Sequence, residues 1–241
     1  MVFPTNLFQA LGLAWALFIL ATGPLNAIMS RANKKKQEGP IRKLSAYLSA
    51  VRGLTILAAI TLLADLLDRR LGLQAFSKLS DYASLAGWTL LTSLVCLGIS
   101  AGFLLFRKVV RVPFPESIGL LMPRTRNELA VGLGLSGVAG ITEEYIFRAF
   151  CLLTIISATD STPVSFLLVT LSFGIGHGYQ DIMGVVRATL AGAVLAIPVL
   201  VLGTLLPSII AHVTIDVFSF LIGYSSLLNR WGLVPKSAAT T

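Results

Sequence analysis

The sequence predicts an all-α fold, a polytopic transmembrane bundle of about seven helices. Hydrophobic residues fill 55% of the 241 positions and charged residues only 12%, against about 25% charged in an ordinary soluble domain. Mean hydropathy is +0.83. A water-facing surface needs more charge than this and a disordered chain needs more still, so both classes are excluded. The apolar residues also gather into runs of spanning length, with the basic residues confined to the gaps.

The first run, Leu7–Ile28, is too long for a signal-peptide core and has no basic flank before it, so no cleavable signal is expected. The second, Leu44–Leu67, is interrupted or bordered by Arg52, Asp65 and Asp68. Leu85–Phe106 is clear on length, and Leu129–Ser157 carries several polar residues. Pro163–His177 is short. Ala188–Leu205 and Ser208–Tyr224 are separated only by Leu206 and Pro207, so they must form an antiparallel hairpin. The whole chain, 1–241, reads as a single integral membrane domain, with three helices lacking a motif in 1–126 and the motif-bearing helices in 127–225. Gly132-x-Gly134-x-x-Gly137 formally matches a dinucleotide fingerprint, but it follows no strand; close helix packing through small residues is the better reading. Cys96 and Cys151 lie in apolar runs without metal-ligand spacing and read as buried free thiols.

The net charge is +8. Arg31, Lys34, Lys35, Lys36, Arg42 and Lys43 fill the first loop; Arg107, Lys108, Arg111, Arg124 and Arg126 the third; Arg187 the fifth; Arg230 and Lys236 the tail. The other face has only Arg69, Arg70 and Lys78. This alternation follows the positive-inside rule, putting the N-terminus outside and the C-terminus in the cytoplasm. It also removes the reason to invoke a nucleic-acid partner. The expected location is a prokaryotic cell membrane, with the lipid bilayer as the main partner.

Ionisable groups at membrane depth are costly, so each is a functional candidate. Glu143, Glu144 and Arg148 lie in the fourth run, His177 ends the fifth, and His212 and Asp216 lie in the seventh. These two histidines are the only ones in the chain. Glu144 and Arg148 share a helix face and suit an ion pair. Glu143, about 100° round the helix, is free to face another neighbour. His212 and Asp216 also share a face, so Asp216 can accept a hydrogen bond from the ring and fix its tautomer. Phe173 and His177 repeat the spacing. If the fourth helix enters the membrane at Leu129, Glu143 lies about 20 Å along it, while His177 ends the fifth run at the cytoplasmic side. Straight helices with these bounds keep the two apart, so one helix must run on, break or tilt.

Glu143-Glu144-x-x-x-Arg148, Phe173-x-x-x-His177 and His212-x-x-x-Asp216, in this order, resemble the three motifs of the CAAX protease and bacteriocin-processing family of intramembrane peptidases, also called the abortive-infection family. The resemblance covers about Leu129 to Tyr224. It implies a helical-bundle endopeptidase, with its catalytic site inside the bundle and a membrane-associated or lipid-modified peptide or protein as substrate. It also implies that Glu143 and His177 activate water while His212 and Asp216 stabilise the oxyanion. Family members have Asn or Asp at the last position, and the Asp216 carboxylate here suits a donor-capable His212.

The residues themselves support the same division of labour. Arg148 is occupied by Glu144, which leaves Glu143 as the group without a cation and suited to general-base work; Phe173 reads as a supporting packing residue rather than a chemical one. No cofactor is expected. Zinc is the alternative, with Glu143, His177 and His212 as ligands, although the helical HExxH spacing is absent. A non-catalytic scaffold or bacteriocin self-immunity protein of the same fold is the alternative function. A proton-coupled transporter would predict inverted repeats, and none is visible.

Overall fold

A computed structural model describes residues 6–32, 43–69, 71–78 and 81–234. Of the basic residues named above, Lys34, Lys35, Lys36, Arg42, Arg70 and Lys236 lie outside these.

Every regular element among the described residues is helical. Helix α1 runs Leu7–Ala32, α2 Lys43–Leu67, α3 Leu71–Ser77, α4 Tyr82–Val110, α5 Glu116–Leu121 and α6 Arg126–Glu144. A π-helical segment, Tyr145–Cys151, joins α6 to α7, Leu152–Thr159. Then come α8 Thr162–Gly176, a 3₁₀ turn Gly178–Gln180, α9 Asp181–Leu202, α10 Leu206–Tyr224 and α11 Leu227–Arg230. The apolar runs of the sequence correspond to α1, α2, α4, the α6–π–α7 rod, α8, α9 and α10. Residues 44–67, 82–110, 178–202 and 206–224 are long and apolar enough to cross a bilayer, and Leu7–Thr22 and Thr162–Gly176 are shorter apolar helices. Large apolar side chains remain exposed on these helices, including Leu90, Leu94, Leu167 and Val201. In water such a surface would aggregate; against lipid it is the expected exterior. The protein is a helical membrane bundle.

Polar residues set the helix ends. Thr125 accepts from the Glu128 N–H at 3.1 Å, and the Glu128 carboxylate accepts from the Arg124 N–H at 2.7 Å, so α6 starts on a reciprocal cap at Arg126. The Asp81 carboxylate caps α4 through the Ser84 N–H. Arg111 and Asp160 end α4 and α7 in the left-handed conformation.

The α6–π–α7 rod occupies the centre. It is about 50 Å long, well beyond the roughly 30 Å hydrocarbon core. Ile146, Phe150, Cys151 and Leu152 are fully buried against Ala16 and Ile19 of α1, Val169 of α8 and Ala196 of α9. Cys96 and Cys151 are buried free thiols. α10 packs on α4 and α6, and α8 packs on α9 and α1. Gly132 and Gly140, with buried Ser136 between them, make the close approach of α6 to α10: a Cβ would lie 2.7 Å from Phe220 at the first glycine and 2.5 Å from Val213 at the second. Gly134 and Gly137 face open space. The small residues that pack thus follow an i, i+4 stripe rather than the fingerprint spacing.

Three features depart from the sequence reading. The Arg69–Lys78 gap folds into α3, whose first N–H groups are held by Asp65 of α2. The sixth span starts at Asp181 rather than Ala188, which places Arg187 inside α9 and not in a loop. The α9–α10 hairpin turns at residues 203–205.

Candidate active site

The depth conflict between Glu143 and His177 resolves through the length of the rod. Glu143 lies about 24 Å from the Thr159 end, and α8 returns from Thr162 for about 22 Å before reaching His177. The two therefore reach the same level. α8 is thus much shorter than the rod beside it, whose first turn lies on the face that carries Arg107, Arg124 and Arg126.

At that level a cavity of about 530 Å³ opens between α2, α4, α6, α9 and α10. Glu143, His177, His212 and Asp216 all line its polar end. Tyr47, Leu54, Phe103, Leu135 and Phe220 build an apolar wall beside them, and Arg107, Tyr179, Gln180 and Arg187 line it toward the basic face.

The two adjacent glutamates point to different places, as a helix requires of neighbours. Glu144 is fully buried behind the cavity, where its Oε1 meets Arg148 Nη1 at 3.1 Å and accepts from His212 Nδ1–H at 2.6 Å. Glu143, its side chain 18% exposed, faces the cavity with Oε2 4.0 Å from His212 Nε2. Asp216 Oδ2 is 3.7 Å from the same nitrogen, too far for a hydrogen bond. The sequence reading gave His212 to Asp216 one turn along α10. The structure instead has Glu144 of α6 holding the ring through Nδ1, because the α6–α10 approach at Gly140 brings that carboxylate closer.

His177 caps α8, and its Nδ1 is 2.8 Å from the Phe173 carbonyl oxygen. A carbonyl only accepts, so Nδ1 carries the proton, and in the neutral ring Nε2 holds the lone pair. Phe173 organises the surroundings. Its ring lies 4.6 Å from His177 and 6.2 Å, edge-on, from His212, while the Arg148 guanidinium carbon sits 3.9 Å from its centroid. The ring and the Glu144 carboxylate together hold a guanidinium that is only 1% exposed.

Several residues at the site were not visible as such in the sequence. Tyr145, the first residue of the π segment, donates to Asp65 Oδ2 at 2.8 Å, and Asp65 also accepts from the Gly72 and Leu73 N–H groups. A carboxylate that reads as a blemish in the second apolar run is thus the anchor of the residue next to Glu144. Arg107 pairs with Asp181 at 2.6 Å and fixes the start of α9, where Asp181 has φ 73°. Tyr179 stacks on His177 at 6.0 Å. Among the described residues no group of three or more His, Cys, Asp or Glu side chains converges as a metal set would.

No curated protein and no solved structure matches the chain. A family model does, that of type II CAAX prenyl endopeptidase Rce1-like proteins, over residues 125–218. The match begins at the Thr125 cap of α6 and ends just beyond Asp216, so it encloses Glu143, Glu144, Arg148, Phe173, His177, His212 and Asp216. The motif-bearing segment of this membrane protein, residues 125–218, is thus similar to the Rce1-like type II CAAX prenyl endopeptidases.

Proposed function

We propose that the chain is an intramembrane endopeptidase that hydrolyses a peptide bond in a membrane-associated or lipid-modified peptide, prenylated substrates included. The observation that carries this reading is the meeting of Glu143, His177 and His212 in one cavity whose polar end adjoins an apolar wall. The wall suits a lipid chain, and the polar end suits a peptide bond.

In the proposed reaction a water lies between the Glu143 carboxylate and His177 Nε2. Glu143 takes its proton as the oxygen attacks the carbonyl carbon. The developing oxyanion accepts from His212 Nε2–H, the nitrogen left facing the cavity once Glu144 has engaged Nδ1. Asp216, Glu143 and Glu144 are the counter-charges for the imidazolium this requires. When the tetrahedral intermediate collapses, the C–N bond breaks and Glu143 returns its proton to the leaving amine. No metal is assigned a role. The orientation that fits has the N-terminus outside, the C-terminus in the cytoplasm and the cavity mouth on the cytoplasmic, basic face.

The test is product identification by mass spectrometry, with purified protein in lipid nanodiscs and a peptide bearing an S-farnesyl cysteine four residues from its C-terminus. Cleavage at one bond, retained after dialysis against a strong chelator, is expected. An intact peptide would contradict the endopeptidase reading, and loss of activity on chelation with return on added zinc would contradict the metal-free one.

A further inference from the structure

Three guanidinium groups, those of Arg107, Arg148 and Arg187, reach the cavity or its back wall, and two have carboxylate partners. Arg148 is matched by Glu144 at 3.1 Å and Arg107 by Asp181 at 2.6 Å. Arg187 lines the cavity, yet no carboxylate among the described residues forms an ion pair with it. Its one hydrogen bond runs from Nη2–H to Gln180 Oε1 at 2.8 Å, and Gln180 Nε2–H in turn donates to Tyr179 Oη at 2.9 Å. Gly184 makes room for this chain, since a Cβ there would lie 2.2 Å from Gln180 Cβ. The guanidinium is therefore positioned by a neutral amide, with the Asp216 carboxylate as a charged neighbour that forms no ion pair with it, and the rest of its donor fork makes no hydrogen bond to the described residues.

The geometry points to Arg187 as the specificity-determining residue that binds the free C-terminal carboxylate of the peptide substrate. This inference rests on the endopeptidase reading. An anion could not otherwise approach a polar end that already holds Glu143 and Asp216, and a planar guanidinium matches a carboxylate with two parallel hydrogen bonds. The spacing suits a short overhang. Gly192 of α9 marks the level of the reacting groups, because a Cβ there would lie 2.9 Å from Arg148 and 3.0 Å from Phe173. Arg187 is five residues nearer the basic face, about 7–8 Å along the helix. An extended peptide covers that in two or three residues.

The test measures binding separately from chemistry. A fluorescent farnesylated peptide is made as the free acid and as the C-terminal amide, each with the same internal glutamate. Both are titrated onto Glu143→Gln protein in nanodiscs, with and without Arg187→Gln or Arg187→Lys. The acid is expected to bind about 10–100-fold more tightly than the amide. Arg187→Gln should abolish that ratio while leaving amide binding unchanged, and Arg187→Lys should restore part of it. In the Glu143 background KM for the acid should rise with Arg187→Gln while kcat stays within about threefold. Equal binding of the two forms, binding of neither, or an acid preference that survives Arg187→Gln would overturn the assignment. An acid preference without cleavage would instead overturn the peptidase reading and leave the carboxylate site standing.

Discussion

Replacing Glu144 with Gln removes one negative charge and almost no volume. In the folded protein that charge has two partners, Arg148 Nη1 at 3.1 Å and His212 Nδ1 at 2.6 Å, and none of the three side chains is more than 5% exposed. The amide oxygen of Gln can still accept from His212, so the loss falls on Arg148. Its guanidinium would keep the Phe173 ring, 3.9 Å away, and the more distant Phe147 ring at 6.0 Å, but no counter-charge in a water-poor interior. Leaving one member of a buried pair without its partner costs about 3–5 kcal/mol. At about 2–4 °C per kcal/mol for a chain of this size, Tm should fall by roughly 6–20 °C. The assay is thermal unfolding in detergent, run as a double-mutant cycle with Arg148→Met. The double variant should recover much of the loss, since it removes the stranded charge. A Glu144→Gln protein with wild-type Tm, or additive losses in the cycle, would refute the pairing.

Gly174→Ala should cost about 1–3 kcal/mol, because the new Cβ would lie 1.8 Å from Thr189 Oγ1 and 3.1 Å from its Cα, forcing α8 and α9 apart. Gly134→Ala, which meets nothing within 4 Å, should be neutral or mildly stabilising in the same unfolding assay. Tyr145→Phe removes the buried donor to Asp65 and should lower stability by about 1–3 kcal/mol; an unchanged unfolding midpoint would mean that Asp65 does not anchor the π segment.

Much of the architecture is legible in the sequence because a bilayer imposes simple constraints. Span length, the cost of intramembrane charge and the 3.6-residue period locate the helices, isolate Glu143, Glu144, His177 and His212, and pair Glu144 with Arg148. What stays hidden depends on relations between helices. The polar composition of α6 masks a rod far longer than the membrane is thick, so Glu143 reads as deep and His177 as shallow. His212 has a candidate partner on its own helix at Asp216, and only the Gly140 contact reveals that Glu144 is nearer. Arg187 reads as an orienting loop charge because α9 starts with Asp181, a residue whose fit depends on Arg107 from another helix. Asp65 carries the one signal that could have been used: a carboxylate in an apolar run demands a partner.

The central claim is that Glu143 activates the attacking water, and the most direct measurement is the turnover of purified Glu143→Gln protein on the farnesylated peptide under conditions where wild-type protein cleaves it. The substitution keeps shape and hydrogen bonding but removes the proton acceptor. The account predicts a fall in kcat of about 10²–10⁴-fold, with unfolding midpoint and peptide affinity unchanged. Turnover within a few-fold of wild type would contradict the claim and leave the hydrolytic role to another group.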